Sequence, residues 1–103
     1  MKRKGIEGDK KSGKPDYVFK LFITGNTPNS TRAIHNIQQI CEAHLPGRYE
    51  LEVVDVYQQP ALAQQEQIIA LPLLIKKFPL PERKLIGDLS DTEKVMKILS
   101  LSF

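Results

Sequence analysis

The sequence predicts a single α/β domain whose sheet is seeded by a parallel strand–helix–strand unit, and three observations predict it. Residues 17–24 are β-branched, aromatic and nearly continuous in apolarity, which suits a strand buried on both faces. Downstream, Ile34, Ile37, Ile40, Cys41 and His44 recur at intervals of three and four, the spacing of one helix face. Residues 49–57 then alternate, with Leu51, Val53 and Val56 set against Glu50, Glu52 and Asp55. Strand, helix and strand joined by short connections form a right-handed βαβ unit with its strands parallel. A chain of 103 residues, 41% hydrophobic and 26% charged, has the size and composition for one core.

The elements follow in order. Residues 1–15 hold six basic groups (Lys2, Arg3, Lys4, Lys10, Lys11, Lys14) against Glu7 and Asp9, a net of +4. The other 88 residues carry nine basic and ten acidic groups, a net of −1, so the formal +3 belongs to this arm. Rich in Lys and Gly and closed by Pro15, residues 1–15 read as a flexible basic arm, and residues 16–103 as the domain. Such an arm could touch an anionic surface. Without aromatic groups to stack on bases, a solvated arm is the simpler reading, and neither nucleic acid nor membrane is expected as a partner. Lys2–Lys4 are followed by Gly, Glu and Asp, not by the apolar core of a signal peptide. No stretch approaches the roughly 20 apolar residues that cross a bilayer. The chain reads as cytoplasmic.

After the first strand, Gly25-Asn26-Thr27-Pro28-Asn29-Ser30 is a turn, and Asn29 or Ser30 is placed to cap a helix over 31–44. Pro46-Gly47 ends that helix. The second strand should turn Leu51 and Val53 to the core and leave Glu50 and Glu52 exposed, because side chains alternate with period two. Residues 60–69 look helical, with Pro60 at the first position, where its missing amide costs nothing. Residues 73–78 are strand-like, Pro79-Leu80-Pro81 a rigid turn, Lys84-Leu85-Ile86 a short strand and Gly87-Asp88 a turn. Ser90-Asp91-Thr92-Glu93 has the form of a capping box, Ser90 reaching the Glu93 amide and Glu93 reaching back. Val95, Ile98 and Leu99 supply a short apolar stripe, which by length alone could also be a strand.

The order β-α-β-α-β-β-α, with a proline opening the third strand, is that of the thioredoxin-like fold. A redox member would carry a Cys-x-x-Cys pair between the first strand and helix, where a helix N-terminus lowers a thiolate pKa. Residues 25–30 contain no cysteine, and the single Cys41 falls in mid-helix on the apolar face, as a buried structural thiol does. Cys41 and His44 stand three apart on one helix, but no acid orients them, and both continue the core stripe. One cysteine and two histidines make a structural metal site improbable, and there is no phosphate loop, dinucleotide fingerprint or HExxH. The residues point to no enzyme and no cofactor. An interaction module remains.

The loop Gly25-Asn26-Thr27-Pro28-Asn29-Ser30 with Arg32-Ala33 closely resembles the signature loop of the KaiB circadian-clock family. The resemblance continues through Val54-Asp55-Val56, Gln59-Pro60, Leu62-Ala63, Ala70-Leu71-Pro72 and Ile86-Gly87-Asp88-Leu89-Ser90, and covers about residues 17–101 without gaps. The sensor domain of the clock-output histidine kinase SasA is a related thioredoxin-like module. The resemblance implies a non-enzymatic regulator of a circadian-clock, timing or stress-response system. It would bind a KaiC-like ATPase and, in full clocks, a KaiA-like protein or a histidine kinase. It also implies metamorphism: the first half is shared by two folds, and the second half switches between a thioredoxin-like monomer and a ground state that self-associates as a dimer or tetramer. Pro72, Pro79 and Pro81 concentrate X-Pro isomerisation in that half, and Gly87 and Asp88 supply its turn. By the resemblance, partner contacts fall on Arg32, Lys76, Arg83 and Lys84. At two further contact positions, where relatives carry lysine, this chain has Glu52 and Gln67. The alternative is a thioredoxin-like adaptor or chaperone with an unrelated partner on the same surface.

Overall fold

The computed structural model describes residues 15–68 and 70–99. Its elements are β1 (Tyr17–Ile23), α1 (Pro28–His44), β2 (Tyr49–Asp55), α2 (Pro60–Gln65), β3 (Leu73–Phe78), β4 (Arg83–Ile86) and α3 (Thr92–Leu99). This is the expected order. The sheet runs β2-β1-β3-β4, with β1 parallel to β2, β3 antiparallel to β1, and β4 antiparallel to β3. The βαβ unit therefore stands as read, and the fold is thioredoxin-like. All but the last residue of the arm 1–15 lies outside the described residues, as do Ile69 and residues 100–103.

Because β1 is central, it is covered on both faces, which is why its sequence does not alternate. Phe19, Leu21 and Ile23 pack with Ala33, Ile37, Ile40 and Cys41 of α1, Leu74 of β3, and Val95, Met96 and Leu99 of α3. Phe22 turns the other way, to Val54, Leu73 and Ile75, where Leu62 of α2 and Val56, Ile68 and Leu71 close the cluster. Two helices thus cover one face of the sheet and a short one the other.

Several expectations need correction. The α1 cap is Thr27, whose Oγ1 accepts from the Ser30 amide at 3.2 Å, with Pro28 in the first turn. Ser30 is instead buried, and its Oγ accepts from the Thr24 amide at 3.1 Å and from the Thr27 hydroxyl at 2.8 Å. His44 closes α1 exposed, off the apolar stripe. On β2 the fully buried valine is Val54, whereas Val53 is 37% exposed. The strand is at the sheet edge, and its end is covered on the α2 side, where Val54 lies opposite Phe22. The second helix stops at Gln65, short of residue 69, and buries none of its residues. At α3 the cap is Asp91, whose Oδ1 accepts from the Lys94 amide at 3.2 Å, one residue later than the Ser90 box. Met96 joins Val95 and Leu99 inside, while Ile98 is only half-buried.

Candidate partner-binding surface

The carboxyl end of β1 opens into a cleft of about 460 Å³ lined by Thr24, Thr27, Pro28, Asn29, Arg32, Leu71 and Pro72. Crevices beyond the carboxyl ends of strands are the usual binding places of α/β sheets. The Thr27 cap builds one wall, and the turn entering β3, with a cis Leu71–Pro72 peptide, builds the other. Gly87 ties the β4 end to this wall, its amide donating to the Pro72 carbonyl at 2.9 Å. Gly87 has φ +124°, a left-handed conformation that an L side chain rarely adopts.

Arg32 rises from the first turns of α1 at the cleft rim. Its Nε donates to Asp88 Oδ2 at 3.1 Å, and its Nη2 donates to Asn29 Oδ1. Asn36, one turn on, donates to the Asp88 carbonyl at 2.8 Å. Asp88 also accepts from the Ser90 amide at 3.1 Å. Hydrogen bonds from the Ser90 hydroxyl and amide, and then from Arg32, hold the Asp88 carboxyl below its ordinary range. The post-β4 turn is thereby fastened to α1, and Arg32, Pro72, Gly87 and Asp88 share one end of the molecule.

The other named positions do not join them. Glu52 is exposed on the edge strand, with its Oε1 3.9 Å from Lys20 Nζ of β1. Gln67 is exposed just past α2 at φ +56°. Arg83 and Lys84 are exposed neighbours on β4, and alternation sends them to opposite faces of the sheet. Pro79 and Pro81 lie in the β3–β4 turn, far along β3 from Pro72, each with a cis peptide before it. Lys76 is 1% exposed, beside Phe19 and Arg83 in the sheet register. Burial, and then the charge of Arg83, push its ammonium pKa down. In this fold Lys76 is not an accessible cation.

The residues support no thiol chemistry at the cleft. Cys41 is fully buried, and desolvation, then Glu42, raises its pKa to about 12, which leaves no thiolate near neutrality. Among the described residues no cluster of three His, Cys, Asp or Glu side chains could hold a metal. No helix among them is long and apolar enough to cross a membrane. Sequence reasoning missed Thr24 and Leu71, which have no special composition and become cleft walls only when β1 and β3 are laid side by side. It also missed Lys77, whose Nζ reaches Glu66 at 2.7 Å and Glu82 at 3.1 Å.

Comparison with known proteins bears on most of the chain. A family model described as the KaiB domain matches residues 20–101. A circadian clock oscillator protein KaiB of Synechococcus elongatus is 47% identical over 92 residues, covering 89% of this chain and 90% of the relative. The protein of that name from Picosynechococcus is 50% identical over 90 residues, covering 87% and 86%. Among solved structures, the N-terminal domain of Synechococcus elongatus SasA superposes with a TM-score of 0.68 at 23% identity, over 93% of each chain. Mitochondrial thioredoxin 3 of Saccharomyces cerevisiae gives 0.68 at 17% identity, over 84% of this chain and 80% of its own. At such identities these two likenesses speak for the fold alone.

Proposed function

The chain belongs to the KaiB family, and from that premise we propose that it is a non-enzymatic regulator that docks on a KaiC-type ATPase. The observation that carries this reading is the cleft itself. It has the position of a thioredoxin active site, but in place of a redox thiol it presents Thr24, Thr27, Asn29 and Arg32. Exposed polar and cationic groups around a cleft suit recognition of a partner surface, and a cation at its rim favours an acidic one. Arg83 and Lys84 would extend that preference beyond the cleft. Glu52 would oppose it, since an acidic side chain facing an acidic partner costs affinity and slows encounter.

The second half is the part we infer to rearrange on self-association, with Pro72, Pro79, Pro81, Gly87 and Asp88 at its turns. In support, α2 buries no residue, and among the described residues its side of the sheet has four buried apolar groups against thirteen on the other.

The test is co-elution with a KaiC-type ATPase from the same organism, with nucleotide and at low salt. We expect a complex with the wild-type chain. Glu52→Lys should bind an ATPase of acidic surface faster, by an amount that shrinks as salt rises. No complex under any nucleotide condition would overturn the ATPase reading and favour an adaptor with an unrelated partner. Equal association rates for the two chains would remove Glu52 from the interface.

A further inference from the structure

Among the described residues the sheet ends at β2 on one side and at β4 on the other, so each edge presents a row of unpaired amides and carbonyls. The two edges carry opposite charge. On β2, Glu50 and Glu52 are exposed, and on β4, Arg83 and Lys84 are. Glu50, Arg83 and Lys84 form no ion pair among the described residues, and Glu52 reaches Lys20 only at 3.9 Å. Each edge also holds an exposed apolar side chain, Val53 on β2 and Ile86, at 57%, on β4. The two strands run the same way, since β2 is parallel to β1, and the steps from β1 to β3 and from β3 to β4 each reverse direction. Their faces agree as well. Val54 lies on the α2 side of the sheet, so Glu52 and Glu50 do too, and Ile86, paired with Leu73 on that side, brings Lys84 with it.

We propose that these two edges pair with each other between copies of the chain, β4 of one copy lying parallel to β2 of the next and continuing its sheet. With Lys84 set beside Glu52, Leu85 falls beside Val53 and Ile86 beside Val54, so both exposed apolar side chains gain a cross-strand neighbour. Glu52 then stands between Lys20 of its own β1 and Lys84 of the second copy. Charge selects this occupant. Two β2 edges would set Glu50 and Glu52 against their own kind, and two β4 edges would oppose Arg83 and Lys84. The unlike pair attracts, and a second copy supplies the matching charge for either edge. Because the joined surfaces differ, the contact is head-to-tail, and it extends into open chains or closes as a ring. It keeps the fold described above, unlike a self-association that rearranges the second half. With only the four residues of β4 to pair, the contact is small, and it forms at high protein concentration.

The experiment is sedimentation velocity of the full chain over a concentration series, at low and high salt. No ATPase is present, so the outcome is separate from that of the cleft reading. Circular dichroism confirms that each variant keeps the wild-type fold. Wild type should gain mass with concentration at low salt and return to monomer at high salt. Glu52→Lys and Lys84→Glu, each alone, give both edges the same sign and should weaken association about tenfold. An equimolar mixture of the two variants should associate as wild type does, because the altered edge of each meets an edge of opposite charge on the other. Amide exchange should slow on β2 and β4 as mass rises and stay unchanged in α2 and α3. A chain that remains monomeric at low salt overturns the proposal. So does association that neither substitution weakens, or a mixture that fails to recover it. Exchange that changes throughout α2 and α3 also overturns it, since self-association then belongs to a rearranged second half.

Discussion

Lys76 shows how far a single residue's role depends on its neighbours. In the sequence it is one of two adjacent lysines at the end of an apolar run, and nothing local separates it from Lys77. In the fold Lys77 reaches two carboxylates, whereas Lys76 is sealed beside Arg83, with no acidic partner within ion-pair distance among the described residues. An ammonium desolvated without a counter-charge opposes folding. Since its pKa is lower folded than unfolded, the unfolded chain binds more protons between the two values, and stability rises with pH across that window. Below that window, with the ammonium charged in both states, the whole penalty is present. Lys76→Met, similar in volume, should therefore stabilise the chain by about 1–2 kcal/mol. Urea unfolding at neutral pH checks it, and the gain should fade as pH rises toward the ordinary lysine pKa. Cys41 is the contrasting case: its place on an apolar helix stripe predicted burial, and the fold seals it, because a local periodicity carries that information.

Among the elements, helix ends were harder to read than helix faces. The stripe of α1 was legible because its period is a property of the helix alone: Ile37, Ile40 and Cys41 are buried on it and Ile34 packs partly buried beside them, while Ala33, which the stripe did not include, is buried as well. Caps are contests between adjacent polar residues. Thr27 takes the role because Pro28 fits the first helical turn, and Ser30 is drawn inside to satisfy the Thr24 amide. At α3, Asp91 takes it from Ser90, and the Ser90 amide is bound by the Asp88 side chain instead. This assignment predicts unequal costs. Asp91→Ala should destabilise by about 1 kcal/mol, a usual value for a lost cap, and Ser90→Ala by clearly less. Chemical denaturation of both variants decides between the caps, and a reversed order would restore the Ser90 box. On β2, alternation predicted the faces, but Val53 is exposed and Val54 buried, because an edge strand is covered only where a helix reaches it.

For the whole molecule, the two layers are unequally secured. The face under α1 and α3 holds most of the core, while α2 is fastened by a few half-buried apolar groups and by the Lys77 link from Glu66 to Glu82. Lys77 is 28% and Glu66 19% exposed at the side chain, so the link is partly shielded from solvent. Lys77→Met should cost about 1 kcal/mol, and more than an open surface pair does, because it leaves Glu66 half-buried without its cation. Amide exchange should quicken first around α2 and the β3–β4 turn and leave β1 and α1 unchanged. Uniform quickening would show that the link serves global rather than local stability. Element order, the parallel unit, the inert thiol and the family signature were all legible in the linear sequence, because each rests on spacing within one segment or on a run of neighbouring residues. The cleft between the Thr27 cap and Pro72, the burial of Lys76 and the Arg32–Asp88 fastening came only with the tertiary structure, because each depends on strand register joining residues remote in sequence, and local periodicity carries no information about that register.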